Sequence, residues 1–273
     1  MSEENTQTRK YQIKRISQGK QSMLGDNIAI EAPLEIRIKR EKDPMSKAVA
    51  VTMRTPGMDE ALALGFLFTE GIIKNADQFV SSKKKEDNII ELTVSNDTNT
   101  DLKNADRNFY TTSSCGVCGK ASIESIKVQP EFEVTEDFEL SSDLIYSLND
   151  KVKGAQEAFD LTGGIHASTL FNLEGELLDI CEDVGRHNAL DKLVGKALKL
   201  NKLPLRRTIL LLSGRASFEL IQKAAMAGIP LIVAIGAPSS LAIDMAQEHS
   251  LTLIGFLKKD RFNIYSGHER IKN

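Results

Sequence analysis

The chain has 273 residues, with 35 Lys and Arg against 38 Asp and Glu, so its formal charge of -3 excludes a global basic field for nucleic acid or acidic membranes and makes any anion site local. Hydrophobic residues at 41% and charged residues at 27% exclude disorder, fibres and disulfide frameworks, and the length suits one large domain or two closely packed ones. An N-terminus (MSEENTQTRK) without a signal-type apolar core, a longest apolar stretch (Ile229 to Ala237) well short of the ~20 residues that span a bilayer, and three cysteines together predict a cytoplasmic protein with no membrane or nucleic-acid partner.

In chain order, residues 1–22 are polar and aperiodic and are expected to form a tail or a loosely held edge strand. Leu34, Ile36 and Ile38 alternate with charged residues as in a half-buried strand, and Ala48 to Met53 reads as a second. Pro56 and Gly57 open a helix from about Met58 to Phe68, with Gly71 placed to end it. Lys83, Lys84 and Lys85 read as a solvated loop. Ile90, Leu92 and Val94 alternate as a strand, and a polar stretch then leads into Thr111-Thr112-Ser113-Ser114-Cys115-Gly116-Val117-Cys118-Gly119, a loop by composition.

Further on, Ser142 begins a helix with Leu144, Ile145, Leu148 and Val152 on one face, and His166–Phe171 with Leu177–Cys181 predicts a hairpin turning at Glu174-Gly175. A helix from Gly185 to Leu200 follows. Strands at Ile209–Leu212, Leu231–Ile235 and Leu251–Leu257 then alternate with helices at Phe218–Ala227 and Leu241–Glu248. That alternation predicts an α/β fold whose sheet is largely parallel and covered on both faces. The expected division is a tail at 1–22, a smaller N-terminal α+β region at 23–110, the CxxC loop at 111–125, and an α/β ligand-binding region at 126–273.

In such sheets, ligands sit beyond the carboxyl ends of the strands, where helix N-termini offer unpaired N–H groups. Here the strand ends are followed by Asp183-Val184-Gly185-Arg186-His187, by Ser213-Gly214-Arg215, by Gly236-Ala237-Pro238-Ser239-Ser240, and by Lys258-Lys259-Asp260-Arg261. Small residues allow close approach to the backbone, hydroxyls donate to phosphate oxygens, and arginine grips an anion bidentately. Any one of these segments alone is a capped turn. Their recurrence at successive strand ends predicts a site for a phosphate-bearing ligand, although no complete Walker or GxGxxG motif occurs.

The second constellation is Cys115-x-x-Cys118. A thioredoxin-like pair fits poorly with the polar approach to Cys115. A structural zinc site lacks a second CxxC, although Cys181, His166 and His187 could assemble in space. Two incidental thiols and a sulfur-transfer site, with a thiolate on an accessible loop as nucleophile, complete the four readings. Cys181, within an apolar strand, reads as a core residue. His166 and His187 fall beside the proposed ligand site, in an orienting or catalytic role or in structural hydrogen bonding.

The chain resembles the FdhD family, the accessory sulfurtransferases of formate dehydrogenase, from about Pro33 to Ser266. The resemblance is carried by Ser113 to Gly119, Thr162-Gly163-Gly164-Ile165-His166, Asp183 to Lys192, Ser213-Gly214-Arg215-Ala216-Ser217 and Ala237-Pro238-Ser239-Ser240-Leu241-Ala242. It implies a cytidine deaminase-like three-layer sandwich, a homodimer, sulfur received from a cysteine desulfurase, and delivery to a molybdenum bis(molybdopterin guanine dinucleotide) cofactor bound as acceptor for a formate dehydrogenase apoenzyme, with no resident metal. By the same resemblance Cys115 is the persulfide cysteine and Cys118 its partner. The cofactor-contacting stretch is Phe256, Leu257, Lys258, Lys259, Asp260 and Arg261, where the lysines stand in place of the arginine and glycine of many relatives. Two rivals remain. A zinc-dependent nucleoside deaminase would need H-x-E ahead of P-C-x-x-C, whereas His166-Ala167-Ser168 lacks the glutamate and follows the cysteines, and Ser114 replaces the proline. A non-catalytic cofactor escort would need the strand-end site but not the thiols.

Overall fold

The structure, a computed structural model, describes residues 7–98, 128–130, 132–134 and 137–273. It begins with an antiparallel ribbon, β1 (Thr8–Ser17) and β2 (Lys20–Ala29). The turn between them puts Gln18 and Gly19 at φ 50° and 78°, the left-handed pair whose twist matches a two-residue hairpin. Most of its side chains are exposed, so it carries no core-facing alternation, and for that reason the sequence reads there as a tail.

Next come β3 (Ala32–Arg40), β4 (Lys47–Arg54), α1 (Asp59–Thr69), β5 (Phe79–Glu86) and β6 (Ile89–Val94). The four strands form a sheet in the order β4-β3-β6-β5, parallel only between β3 and β6. Lys83, Lys84 and Lys85 lie in β5, not in a loop. This is an edge strand pairing on one side only, where exposed lysines guard the open edge against further pairing and hide the strand signal.

The rest of the chain forms β7 (Leu140–Ser141), α2 (Ser142–Lys151), α3 (Glu157–Thr162), β8 (His166–Asn172), β9 (Leu177–Asp183), α4 (Arg186–Lys199), β10 (Thr208–Leu212), α5 (Phe218–Met226), β11 (Leu231–Ala234), α6 (Ser240–Glu248), β12 (Thr252–Gly255), β13 (Asn263–Ser266) and β14 (Ile271–Lys272). Ser141 caps α2 by accepting the Leu144 N–H at 3.2 Å. A six-stranded sheet runs β13-β12-β11-β10-β8-β9. It is mixed, not largely parallel: only β10–β11 and β11–β12 pair in parallel, because the β8–β9 hairpin adds two antiparallel pairings and β13 folds back on β12.

Both faces of this sheet are covered. Leu210 and Leu212 of β10 point into a core shared with α1, α4 and the four-stranded sheet, while Ile209 and Leu211 point into a second core with Ile145 and Leu148 of α2. Among the described residues no helix is long and apolar enough to cross a membrane.

The two sheets are joined through α1 and α4. Leu62, Leu64 and Leu67 of α1 and Leu190, Leu193 and Val194 of α4 are all buried in the shared core. The helices touch backbone to backbone: a Cβ on Gly65 would lie 1.8 Å from the Asp191 carbonyl oxygen, and one on Gly195 would lie 1.9 Å from that of Ala61. No side chain fits at such a crossing, so the pair must separate to admit one. Replacing Gly195 with Ala is expected to lower the unfolding free energy by about 3 kcal/mol, read as a shift of the urea midpoint.

Candidate functional site

Because β8 runs antiparallel to both β9 and β10, the carboxyl ends of β9, β10, β11 and β12 emerge on one edge, beside the first residue of β8, His166. Five neighbouring strands at about 4.8 Å spacing make that edge about 19 Å long. The four segments singled out from the sequence therefore lie together. Past β10 and β11 the chain continues as two adjacent loops: Gly236 N–H donates to Gly214 C=O at 2.9 Å, Ala216 N–H to Ala237 C=O at 3.2 Å, and Ser239 N–H to Ala216 C=O at 3.0 Å. A Cβ on Gly236 would stand 3.0 Å from Gly214 O and from Arg215 Cγ, so the glycine lets the two loops pack. Ser239 Oγ accepts the Ala242 N–H at 3.3 Å and caps α6.

At the end of β12, Phe256 adopts φ 55°, a conformation costly for a bulky residue. Two ladder bonds hold it there, Phe256 N–H to Gly236 C=O at 3.0 Å and Leu257 N–H to Ala234 C=O at 3.1 Å. Phe256 is 42% exposed, whereas Leu257, at 1%, belongs to the core beneath. Lys258, Lys259, Asp260 and Arg261 are exposed, in a turn closed by Lys258 N–H on Arg261 C=O at 2.8 Å.

The turn from β9 into α4 is built around a buried carboxylate. Asp183 pairs with Lys192 Nζ at 2.7 Å and accepts the Gly185 N–H at 2.8 Å, Asn188 Nδ2 at 3.1 Å and, from the N-terminal region, the Thr55 N–H at 3.1 Å. Lys192 also donates to the Thr55 and Glu182 carbonyls. Burial pushes the Asp183 carboxyl above its usual range, against the pull of Lys192 and the N–H donors. One turn along α4, Asp191 accepts Thr69 Oγ1 at 2.8 Å and Lys223 Nζ at 2.9 and 3.0 Å. Burial acts to lower the Lys223 ammonium, but Asp191 and Glu70 outweigh it and hold it above the ordinary lysine range. These networks set the position of the first turn of α4, which carries Arg186 and His187.

His187 is 7% exposed, with Nε2 3.3 Å from Ser217 Oγ and 3.9 Å from Glu219. Arg186 is partly buried, and its Nε is enclosed without a hydrogen-bond partner among the described residues. His166 Nδ1 lies 3.3 Å from Ser213 Oγ, which also accepts the Ala167 N–H at 2.9 Å. Burial and then the Arg186 charge hold the His166 imidazole below its usual pKa, against an opposite pull from Asp183. Among the described residues, Arg186, Arg215, Lys258, Lys259 and Arg261 make no salt bridge, although Lys259 acts on the Asp150 carboxylate at longer range, so the edge is rich in cations not held in ion pairs and can attract an anionic ligand.

Thr55 escaped sequence reasoning as a contributor to this edge, and Asn188, Lys192 and Ser217 entered it only within the motifs that carry the resemblance. The signal available was a helix carrying Asp191 and Lys192 amid apolar residues on every side, which requires buried charges to be paired. Cys181 is buried, and that burial pushes its thiol up to about 12. The described residues hold no cluster of three or more His, Cys, Asp or Glu suited to a metal. Cys115 and Cys118 lie outside the described residues.

A mixed α/β protein with an anion-receptive edge at its strand ends is the class that fold and site define. The model of the FdhD/NarQ family matches residues 29–272, and the chain belongs to that family. It is 46% identical to the Sulfur carrier protein FdhD of Streptomyces avermitilis, over 97% of this chain and 95% of the relative. It is 46% identical to that of Picrophilus torridus over 90% and 92%, and 40% identical to that of Mycobacterium tuberculosis over 90% and 92%. A crystal structure from Desulfotalea psychrophila, described as a formate dehydrogenase accessory protein, superposes with a TM-score of 0.75 at 24% identity, covering 97% of this chain and 100% of that one, and shows the same fold.

Two titrations follow from these environments. Histidine NMR should place the His166 imidazole below 6.5. Since its folded pKa is depressed, its contribution to stability is present above the unfolded value of about 6.5 and is lost as pH falls through the folded value; His166→Gln should flatten the stability profile below pH 7. Iodoacetamide should leave Cys181 unmodified in the native protein and alkylate it on unfolding, as a protonated, enclosed thiol requires.

Proposed function

We propose that the chain is a sulfur carrier with sulfurtransferase activity, taking sulfur from a cysteine desulfurase as a persulfide on Cys115 and passing it to a molybdenum bis(pterin guanine dinucleotide) cofactor, its substrate, before that cofactor enters a formate dehydrogenase apoenzyme. The observation that carries the reading is the strand edge where Arg186, Arg215, Lys258, Lys259 and Arg261 make no salt bridge among the described residues. Phosphates of a guanine dinucleotide supply the anionic charge such an edge lacks. The names of the relatives at 40 to 46% identity support the sulfur half of the proposal. Within the cofactor stretch, exposed Phe256 offers a ring surface and Lys258, Lys259 and Arg261 offer charge.

Loading is a thiol exchange. The Cys115 thiolate attacks the terminal sulfur of the donor's persulfide, the S–S bond of the donor breaks, and the desulfurase thiolate leaves with its electron pair. Cys118 lies close enough in sequence to take part in release or to tune the thiolate of Cys115. A homodimer is part of the same proposal.

Intact mass after incubation with a cysteine desulfurase and cysteine tests it. A reducible gain of about one sulfur atom, absent in Cys115→Ala, is expected of a persulfide carrier. A Cys115 and Cys118 double variant that still supports formate dehydrogenase activation would favour cofactor escort without sulfur transfer.

A further inference from the structure

The ribbon β1–β2 contributes no side chain to either hydrophobic core, and a two-stranded hairpin without a packed face is marginally stable in water. From Thr8 to Ala29 it carries five basic side chains, Arg9, Lys10, Lys14, Arg15 and Lys20, against the single acid Asp26. All five cations are exposed, and none makes a salt bridge among the described residues. A net charge of +4 here, on a chain whose formal charge is -3, leaves the remainder at -7. The ribbon is thus a basic element on an otherwise acidic chain. Lysine alone would suffice to guard open strand edges, but these cations are interleaved with exposed apolar side chains: Ile16 at 66%, Met23 at 68%, Tyr11 and Ile28. In register, Met23 stands opposite Lys14 on one face and Ile28 opposite Arg9 on the other. Arginine, methionine and tyrosine among polar neighbours have the composition of a protein interface. Position ties the ribbon to the strand edge. β2 lies against α3, and α3 is fixed at its start by the Glu182 carboxylate, which accepts the Ala158 and Phe159 N–H at 2.9 and 2.8 Å. Glu182 directly precedes Asp183 at the carboxyl end of β9, and α3 leads through Gly163-Gly164-Ile165 into His166. Phe159 and Leu161 of α3 are themselves exposed.

We infer that the ribbon, together with Phe159 and Leu161 of α3, is the docking surface for an acidic face of the protein that receives the cofactor. The inference rests on the cofactor-transfer reading and names the surface on which the acceptor sits. A carboxylate-rich protein face meets the five cations and also covers the apolar side chains between them. The phosphates of a nucleic acid offer nothing to Ile16, Met23 or Leu161, and a long polyanion would run onto the acidic remainder of the chain. Because α3 and β9 connect the ribbon to the strand edge, a protein held on it stands at the edge from which the cofactor leaves.

Biolayer interferometry of a formate dehydrogenase apoenzyme on the immobilised full chain, at low and at high salt, tests this. Lys10→Gln, Lys14→Gln and Arg15→Gln combined should slow association about tenfold at low salt and remove most of its salt dependence. Ile16→Ser with Met23→Ser should leave association unchanged and hasten dissociation about tenfold. Since no ribbon side chain enters a core, both variants should keep the wild-type urea midpoint, and both should gain persulfide sulfur from the desulfurase as the wild type does. Wild-type kinetics with the apoenzyme in both variants would overturn the inference. So would loss of desulfurase binding with apoenzyme binding intact, which would make the ribbon a dock for the sulfur donor. Binding of a mixed-sequence DNA duplex that the charge variant abolishes, with apoenzyme binding intact, would overturn it in favour of a nucleic-acid arm. A wild-type chain that gains sulfur but does not bind the apoenzyme would overturn the docking surface and leave the sulfur-carrier reading in place. Docking through the ribbon by a chain that gains no sulfur on Cys115 would do the reverse.

Discussion

The backbone contact of α1 with α4 is the constraint on which the rest of this molecule depends. Gly65 and Gly195 bring the helices so close that no Cβ fits between them, and that closeness lets one hydrophobic core serve the N-terminal four-stranded sheet and one face of the six-stranded sheet at once. Layers that share a core lose their surfaces to water together, so neither is an independent module in energetic terms.

The same approach explains the buried charges of α4. A helix enclosed on nearly every side has no solvent face, so Asp191 and Lys192 must find partners inside the protein. Each finds one on a different element, Lys223 on α5 and Asp183 at the end of β9, and each network also engages α1 or its approach through Thr69 or Thr55. Buried pairs of this kind add little net stability but penalise any arrangement that separates the partners. Their effect is registry: they hold the first turn of α4, and with it Arg186, at the sheet edge.

Electrostatically the molecule separates two uses of charge. In the interior, carboxylate and ammonium neutralise one another at 2.7 to 3.0 Å. At the strand edge, the cations make no salt bridge among the described residues, although the chain as a whole carries a formal charge of -3. A local positive field on a mildly acidic protein favours a small anionic ligand over a polyanion, because the remaining surface repels the latter.

By itself the sequence determined the local elements. Periodicity located α1, α2, α4, the β8–β9 hairpin and the three apolar strands to within a residue or two, because helix and strand repeats are short-range consequences of which side chains must leave water. It also marked Gly214, Arg215 and Arg186 as a recurring strand-end chemistry, and the resemblance carried by its motifs pointed to the family. Tertiary structure alone decided the rest. The pairing directions of the six-stranded sheet, the ribbon at Thr8–Ala29 and the edge strand bearing Lys83, Lys84 and Lys85 depend on partners distant in the chain. So do the meeting of His166 with Ser213, 47 residues apart, and of Thr55 with Asp183, 128 apart. Such contacts leave no periodic trace, since what selects them is the burial of a shared core and the need of each enclosed polar group for a partner.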